Sequence, residues 1–287
     1  MKATIAIPAW GERCLDLATK YAVPSVLAAL DGRPAQFMVY TDQPGRFVGL
    51  QGVSFQPVPK ATTSFKSLTA SQLGTWEKAA PGSIVLLLNA DVVVSREVFA
   101  VAEQKFADRY RVIATTGVRT LAGKSEPPIG ASARELLAWA WTNRHMVIEN
   151  SVWGRGRTLF PVAVYFEKDG NVVAHSSHLH PFLLLKDRRR LRCAGTIDDD
   201  LLKHYQDSEI FYPHEAEVGF AELSPATIGE HFMGVGQPIS QDLVTGFSKD
   251  FMVTHVRNFR APLRIIGDGD AGDEVAYKIA DKMIGNH

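Results

Sequence analysis

The chain has 287 residues, and its 31 Lys and Arg balance its 31 Asp and Glu for a formal net charge of zero. That balance gives no global positive field to hold a nucleic-acid backbone. A hydrophobic share of 46% and a charged share of 22% exclude a disordered chain. The longest unbroken apolar run, Leu136 to Trp141, is far short of the roughly 20 residues a membrane helix needs.

In chain order, Ala3–Ile7 reads as a short buried strand. Pro8 and Glu12 interrupt the apolar stretch too early for a signal-peptide core. Arg13–Leu30 has helical spacing, with Pro24 bending it. Gln36–Thr41 and Val53–Val58 are strands, Ser64–Ala80 a helix, and Ser83–Leu88 an almost wholly apolar strand of the kind covered on both faces. Ser95–Tyr110 follows as a helix with Ser95 as its N-cap, then Val112–Thr116 as a strand. Repeated strand–helix alternation predicts an α/β fold with a mixed, mainly parallel central sheet flanked by helices.

The second half is less regular. Ala131–His145 is helical. Phe160–Glu167 and Asn171–Ser176 flank Lys168-Asp169-Gly170, a hairpin signal. Leu263–Ile266 is strand-like and Asp273–Ile284 is a short helix. No Pro/Gly/Ser linker separates the halves, so one domain is expected, with residues 1–120 as one half and 121–287 as the other. Cys14 and Cys193 cannot make a disulfide framework, which points to a reducing, cytoplasmic compartment.

Three strand ends carry polar tips. Ile84-Val85-Leu86-Leu87-Leu88 runs into Asn89-Ala90-Asp91. Ile5-Ala6-Ile7 runs into Pro8-Ala9-Trp10-Gly11-Glu12, and Tyr40-Thr41-Asp42 closes the second strand. Ligands of open α/β sheets collect at such carboxyl ends. A carboxylate there can hold a hard divalent cation, or simply cap the next helix.

This order resembles the GT-A class of nucleotide-sugar glycosyltransferases. The resemblance implies that Pro8, Trp10, Glu12 and Asp42 shape the base and ribose pocket. It also implies that Asn89 and Asp91 stand for the Asp-x-Asp motif that holds Mn²⁺ or Mg²⁺. Asn89 replaces the usual first Asp; it offers a carbonyl oxygen to a metal or a ribose hydroxyl, but no charge. His231-Phe232-Met233-Gly234-Val235-Gly236-Gln237-Pro238 is similar to the His-Phe-x-Gly-x-x-Lys-Pro segment of the retaining family-8 type. There His231 would be a metal ligand, while Gln237 stands at the position of the phosphate-binding Lys.

Gly195-Thr196-Ile197-Asp198-Asp199-Asp200 has two readings. The acids offset the positive end of a helix dipole, or one of them serves the reaction. In inverting GT-A enzymes a comparable acid is the general base, and in retaining ones it contacts the donor sugar. Asp199 and Asp200 are the residues expected in catalysis, with the stereochemical outcome open.

His175-Ser176-Ser177-His178-Leu179-His180 is the densest His cluster. A His-x-His pair on a strand shares one face; His178 and His180 read either as structural histidines or as polar lining for an acceptor or donor sugar. Too few ligands accompany them for zinc. The basic run Lys186-Asp187-Arg188-Arg189-Arg190-Leu191-Arg192 reads as a solvated turn, as a diphosphate contact, or as weak peripheral docking on an anionic membrane or glycan. Gly154-Arg155-Gly156-Arg157 is a second small basic loop. Gly267-Asp268-Gly269-Asp270-Ala271-Gly272 matches G-x-G-x-x-G only in form, because its acids would repel a pyrophosphate.

The expected partners are therefore a nucleotide-sugar donor and a glycan or small hydroxyl acceptor, with no nucleic acid. Two alternatives stay open. One is a sugar-phosphate nucleotidyltransferase, against which the glycine-poor first loop counts. The other is a non-catalytic glycan-binding module.

Overall fold

The computed structural model describes residues 1–159, 161–176, 179–227, 236–251, 259–269 and 271–284. In chain order its elements begin with β1 (Ala3–Pro8), α1 (Glu12–Leu17), a π-helical turn (Ala18–Ala22), α2 (Val23–Leu30), β2 (Ala35–Tyr40) and β3 (Val53–Gln56). Then come α3 (Ser64–Lys78), β4 (Ile84–Leu87), β5 (Val92–Val94), α4 (Val98–Asp108), β6 (Val112–Ala114) and β7 (Val118–Leu121). Next are α5 (Ala133–Thr142), α6 (Met146–Glu149), β8 (Arg157–Thr158), β9 (Ala163–Lys168), β10 (Asn171–Ser176) and β11 (Phe182–Leu185). The chain ends with α7 (Ile197–Asp200), β12 (Ile210–Phe211), β13 (Phe220–Ser224), β14 (Gln237–Pro238), α8 (Gln241–Phe251), β15 (Leu263–Ile266) and α9 (Asp273–Ile284).

The chain forms two compact units, neither of them continuous. The first comprises Met1–Thr115, Ile129–Ser132 and His180–Phe211; the second comprises Thr116–Pro128, Ala133–Leu179 and Tyr212–His287.

The first unit holds a seven-stranded sheet in the order β12-β6-β11-β4-β1-β2-β3. β1 runs parallel to β2 and β4, β2 to β3, and β12 to β6. β11 alone is antiparallel, wedged between β4 and β6. The mixed, mainly parallel sheet flanked by helices is thus the architecture expected. β1 and β4 are buried at every position, as central strands with both faces covered must be. α3 packs on β1 and β4, and α4 on β4. α3 begins at Thr63, whose Oγ1 accepts from Lys66 N at 3.2 Å.

Two local expectations change. Arg13–Leu30 is helical throughout, as expected, but the disturbance near Pro24 is a π-helical turn, Ala18–Ala22, between α1 and α2 rather than a simple bend. Proline has no N–H to give back to Lys20, and the wider turn absorbs that break. Ser95 is not the cap of α4. The helix starts at Val98 behind Glu97, without a side-chain cap, and the Ser95 carbonyl accepts from Val98 N at 3.4 Å.

In the second unit, β9 and β10 form the expected hairpin, with Lys168 opposite Asn171. Asp169 and Gly170 sit at φ of 51° and 80°, the two left-handed positions that a tight two-residue hairpin turn requires. β15 adds to β10 antiparallel, β13 pairs β7 in parallel, and β14 pairs β8. Ala276, Ile279, Ala280 and Met283 of α9 follow a helical stripe and join Val164, Phe166 and Val173 of the hairpin in one core.

The Gly-rich turn before α9 is explained by that packing. A Cβ at Gly267 would strike the Asn171 side chain, and one at Gly272 the Phe166 ring. Gly269 N donates to Asn171 Oδ1 at 2.9 Å. The glycines let the turn close over the hairpin.

Candidate functional site

The chain runs β1, β2, β3 in one direction across the sheet of the first unit, then returns to place β4 on the other side of β1. At such a reversal the loops leaving adjacent strands diverge and open a crevice beyond their carboxyl ends. Six expected site residues lie on strand ends at this edge: Pro8, Trp10 and Glu12 after β1, Asp42 after β2, and Asn89 and Asp91 after β4.

Pro8 and Ala9 are buried, and Ala9 N extends the pairing by donating to Tyr40 O at 2.9 Å. Trp10 is half-buried. Gly11, at φ 74°, turns the chain into α1. Glu12 opens that helix, accepting from Gln43 Nε2 at 2.8 Å and pairing with Arg46 at 3.1 Å. Arg46 also pairs with Asp16. Together these clamp the loop that carries exposed Asp42 against the start of α1.

Asp91 is half-buried, and its negative charge reaches the Cys14 thiol on α1. Burial first, and then that charge, push the thiol up from its ordinary range. Asn89 is half-buried, and its Oδ1 accepts from Gln72 Nε2 at 3.2 Å. Gln72, on α3, is fully buried and also stands 3.4 Å from His180 Nε2. His180 therefore joins the β4 tip.

Sequence reasoning missed Gln72. The signal was present: Ser67, Ser71, Gln72 and Thr75 lie on the buried face of α3, where apolar residues would be ordinary. Ser71 and Thr75 return their hydroxyls to carbonyls four residues back, whereas Gln72 reaches outward to β4.

Asp200 is committed to its own loop: Oδ2 accepts from Ala194 N at 2.7 Å and Gly195 N at 2.8 Å, and Lys203 pairs with Oδ1. Although burial acts to raise it, these bonds hold its carboxyl below the usual range. The side chain of Asp199, and all of His178 and His231, lie outside the described residues. His180 lies between β10 (Asn171–Ser176) and β11, which starts at Phe182, and belongs to neither.

Within the basic run, Arg189 is a structural tie rather than a free cation. It pairs with Glu209 at 2.7 Å, donates to His204 O at 2.9 Å and covers the Tyr205 ring at 4.2 Å. Lys186 lies over Trp76, while Arg188, Arg190 and Arg192 are exposed. Arg155 is likewise held, by Glu149 and Glu167.

The β4 tip carries the carboxylate of Asp91 beside the Asn89 carboxamide, whose oxygen already accepts from Gln72. The carboxylate suits a hard cation of the Mg²⁺ or Mn²⁺ kind, which typically takes one or two carboxylates and fills its shell with phosphate oxygens and water. Among the described residues no group of three or more His, Cys, Asp or Glu gathers to form a site made by protein alone.

No family model and no curated protein matches the chain. Among solved structures it is similar to residues 1–349 of TarS from S. aureus, at 11% identity and a TM-score of 0.45, over 100% of this chain and 72% of that one. The same protein in complex with UDP-GlcNAc gives a TM-score of 0.43 at 11% identity over the same shares. Galactosyltransferase LgtC, in complex with donor and acceptor sugar analogues, is 20% identical over 41% of this chain and 47% of that chain, with a TM-score of 0.30. A putative glucose-1-phosphate thymidylyltransferase from Bacillus anthracis is 11% identical over 45% of this chain and 62% of its own, with a TM-score of 0.29. Likenesses this distant do not assign an activity.

Proposed function

We propose that the chain is a GT-A-type glycosyltransferase. It would move a sugar from a nucleotide-diphosphate donor to a hydroxyl of a glycan or small acceptor. The observation that supports this reading is the strand order: β4, which runs on into Asn89 and Asp91, pairs with β1, which runs on into Trp10, at the reversal point of the sheet. Pro8 and Trp10 form an apolar wall for the base. Glu12 and Asp42, on loops clamped to each other through Gln43 and Arg46, face the ribose. Asp91, together with the donor's phosphates and with His231, would hold Mn²⁺ or Mg²⁺. Such a cation neutralises the charge that develops on the departing nucleoside diphosphate.

The acceptor oxygen forms its bond to the anomeric carbon as the bond to the diphosphate breaks, and its proton passes to a base. Asp200, with both oxygens bonded and its carboxyl held low, is poorly suited to take it. Asp199 is the proposed base or donor-sugar contact. His180 at the β4 tip, and His178 near it in sequence, would meet sugar hydroxyls.

A thermal-shift screen of UDP, GDP, CDP, dTDP and ADP with Mn²⁺ tests the reading, because a ligand of the native state raises the melting temperature. One base should stabilise selectively, and the matching nucleotide sugar should be slowly hydrolysed. Release of pyrophosphate from a nucleoside triphosphate and a sugar phosphate would instead make the chain a nucleotidyltransferase. Stabilisation by glycans alone would make it a binding module.

A further inference from the structure

The amide groups of Gln72 and Asn89 can be oriented from hydrogen-bond counting, and the result changes what Asn89 offers a ligand. Gln72 is fully buried, and one end of its carboxamide meets both Asn89 Oδ1, at 3.2 Å, and His180 Nε2, at 3.4 Å. The other end has no hydrogen-bond partner among the described residues.

Two arrangements are self-consistent. In the first, the Gln72 NH₂ donates to Asn89 Oδ1 and to the lone pair of neutral His180, leaving one buried acceptor unused. In the second, both carboxamides are turned over: Asn89 and His180 donate to Gln72 Oε1, and both Gln72 N–H groups are stranded in the interior. Two stranded donors cost more than one under-used carbonyl oxygen, so the first arrangement is preferred.

In a planar carboxamide, oxygen and nitrogen point to opposite sides of the chain axis. Binding Asn89 Oδ1 towards α3 therefore turns Nδ2 away from α3. Among the described residues Nδ2 has no partner.

We infer that Gln72 is a positioning residue that presents Asn89 to the crevice as a hydrogen-bond donor. Asn89 then meets an oxyanion or hydroxyl oxygen of the bound ligand and is not an oxygen ligand of the cation. The cation contact from this tip belongs to Asp91 alone. This rests on the nucleotide-sugar reading for the ligand's identity, but not for the orientation of the two amides.

The test has two arms. The first needs no ligand: side-chain ¹H–¹⁵N spectra of the full chain, with the Gln72 and Asn89 NH₂ pairs assigned by their loss in Gln72→Met and Asn89→Ala. The Gln72 pair should be protected from solvent exchange and the Asn89 pair should exchange rapidly. Because Gln72 is buried in either arrangement, the Asn89 pair decides: protection of that pair overturns the proposal, whether or not any nucleotide binds.

The second arm titrates Mn²⁺ and the nucleoside diphosphate panel by calorimetry. Asn89→Ala should weaken nucleotide binding about tenfold at saturating Mn²⁺, the loss of one hydrogen bond to a charged group. The Mn²⁺ midpoint at saturating nucleotide should stay within about twofold, while Asp91→Ala moves it by about tenfold or more. Gln72→Met, checked for folding by its melt, should show a smaller nucleotide loss of the Asn89→Ala kind, with the Mn²⁺ midpoint again unmoved. Equal Mn²⁺ shifts in Asn89→Ala and Asp91→Ala would make Asn89 a metal ligand and refute the proposal. If no nucleotide binds while the exchange pattern holds, the transferase reading fails and the amide orientation survives.

Discussion

His175 and His180 lie five residues apart, yet they serve different units and opposite purposes. His175 is fully buried in the second unit, with Nδ1 2.9 Å from Phe259 O and Nε2 3.3 Å from Asp273. Phe166, Phe259 and Tyr277 surround its ring. Its polar atoms are matched by the protein, and it fastens the start of α9 to the hairpin. His180 opens the last segment of the first unit, beside an amide whose oxygen has no described partner at the ends of β1 and β4. The contrast sets a histidine built into a core beside one at the edge where the proposed function would seat its ligand.

The largest effect that could break this contrast is at the edge. Asp91→Ala should lower donor turnover by about 10²–10³-fold while leaving the melting temperature within a few degrees. Nucleotide-sugar hydrolysis and a melt, run side by side, measure both. A loss of stability without a loss of turnover would move Asp91 to the structural class.

The next effects belong to the second unit. His175→Ala should cost about 2–4 kcal/mol in denaturant unfolding, because it leaves a cavity and takes the donor from one acceptor beside the ring. Gly272→Ala should also destabilise, by about 1–3 kcal/mol, since its φ is 74° and Phe166 occupies the Cβ position. It should leave nucleotide binding unchanged. A selective loss of nucleotide binding would restore the Gly-rich turn as a phosphate site.

A pH effect follows from the same core. Burial dominates at His175 and His145 and lowers both below the ordinary imidazole range. Below about pH 6.5 the unfolded chain takes up protons that the folded chain refuses. Stability is thus full above that pH and falls as pH drops towards 5. Replacing both histidines with Gln should flatten the slope of melting temperature between pH 7.5 and 5. An unchanged slope would assign the pH dependence to other groups.

The smallest difference lies in the basic run. Arg189→Ala should destabilise by about 1–3 kcal/mol through Glu209 and His204, and Arg190→Ala by less than about 0.5 kcal/mol.

The sequence signals were strongest where they were local. Asp169-Gly170 declared its turn, and Leu263–Ile266 and Asp273–Ile284 matched β15 and α9 at both ends. The polar tips of β1, β2 and β4 were readable because each follows its own apolar run. What stayed hidden depends on pairing at long range. Nothing in Phe182–Leu185 announces that it runs antiparallel between β4 and β6. The partnership of Gln72 with Asn89 spans two elements, and Asp200 is fixed by backbone N–H groups that carry no side-chain signature. The unit boundary between Leu179 and His180 likewise carries no signal within the His cluster.

The late arrival of β11 has a consequence for how the protein is made. β4 is complete about a hundred residues before Phe182–Leu185 leaves the ribosome. Until then its apolar edge, Ile84 to Leu87, has no neighbour on that side, and β6 has none of its eventual partners. An open hydrophobic strand edge recruits other chains. The nascent first unit must therefore wait, shielded, while nearly all of the residues between Thr116 and Leu179 are synthesised. Production should be sensitive to chaperone supply and to temperature in a way that equilibrium stability alone does not forecast.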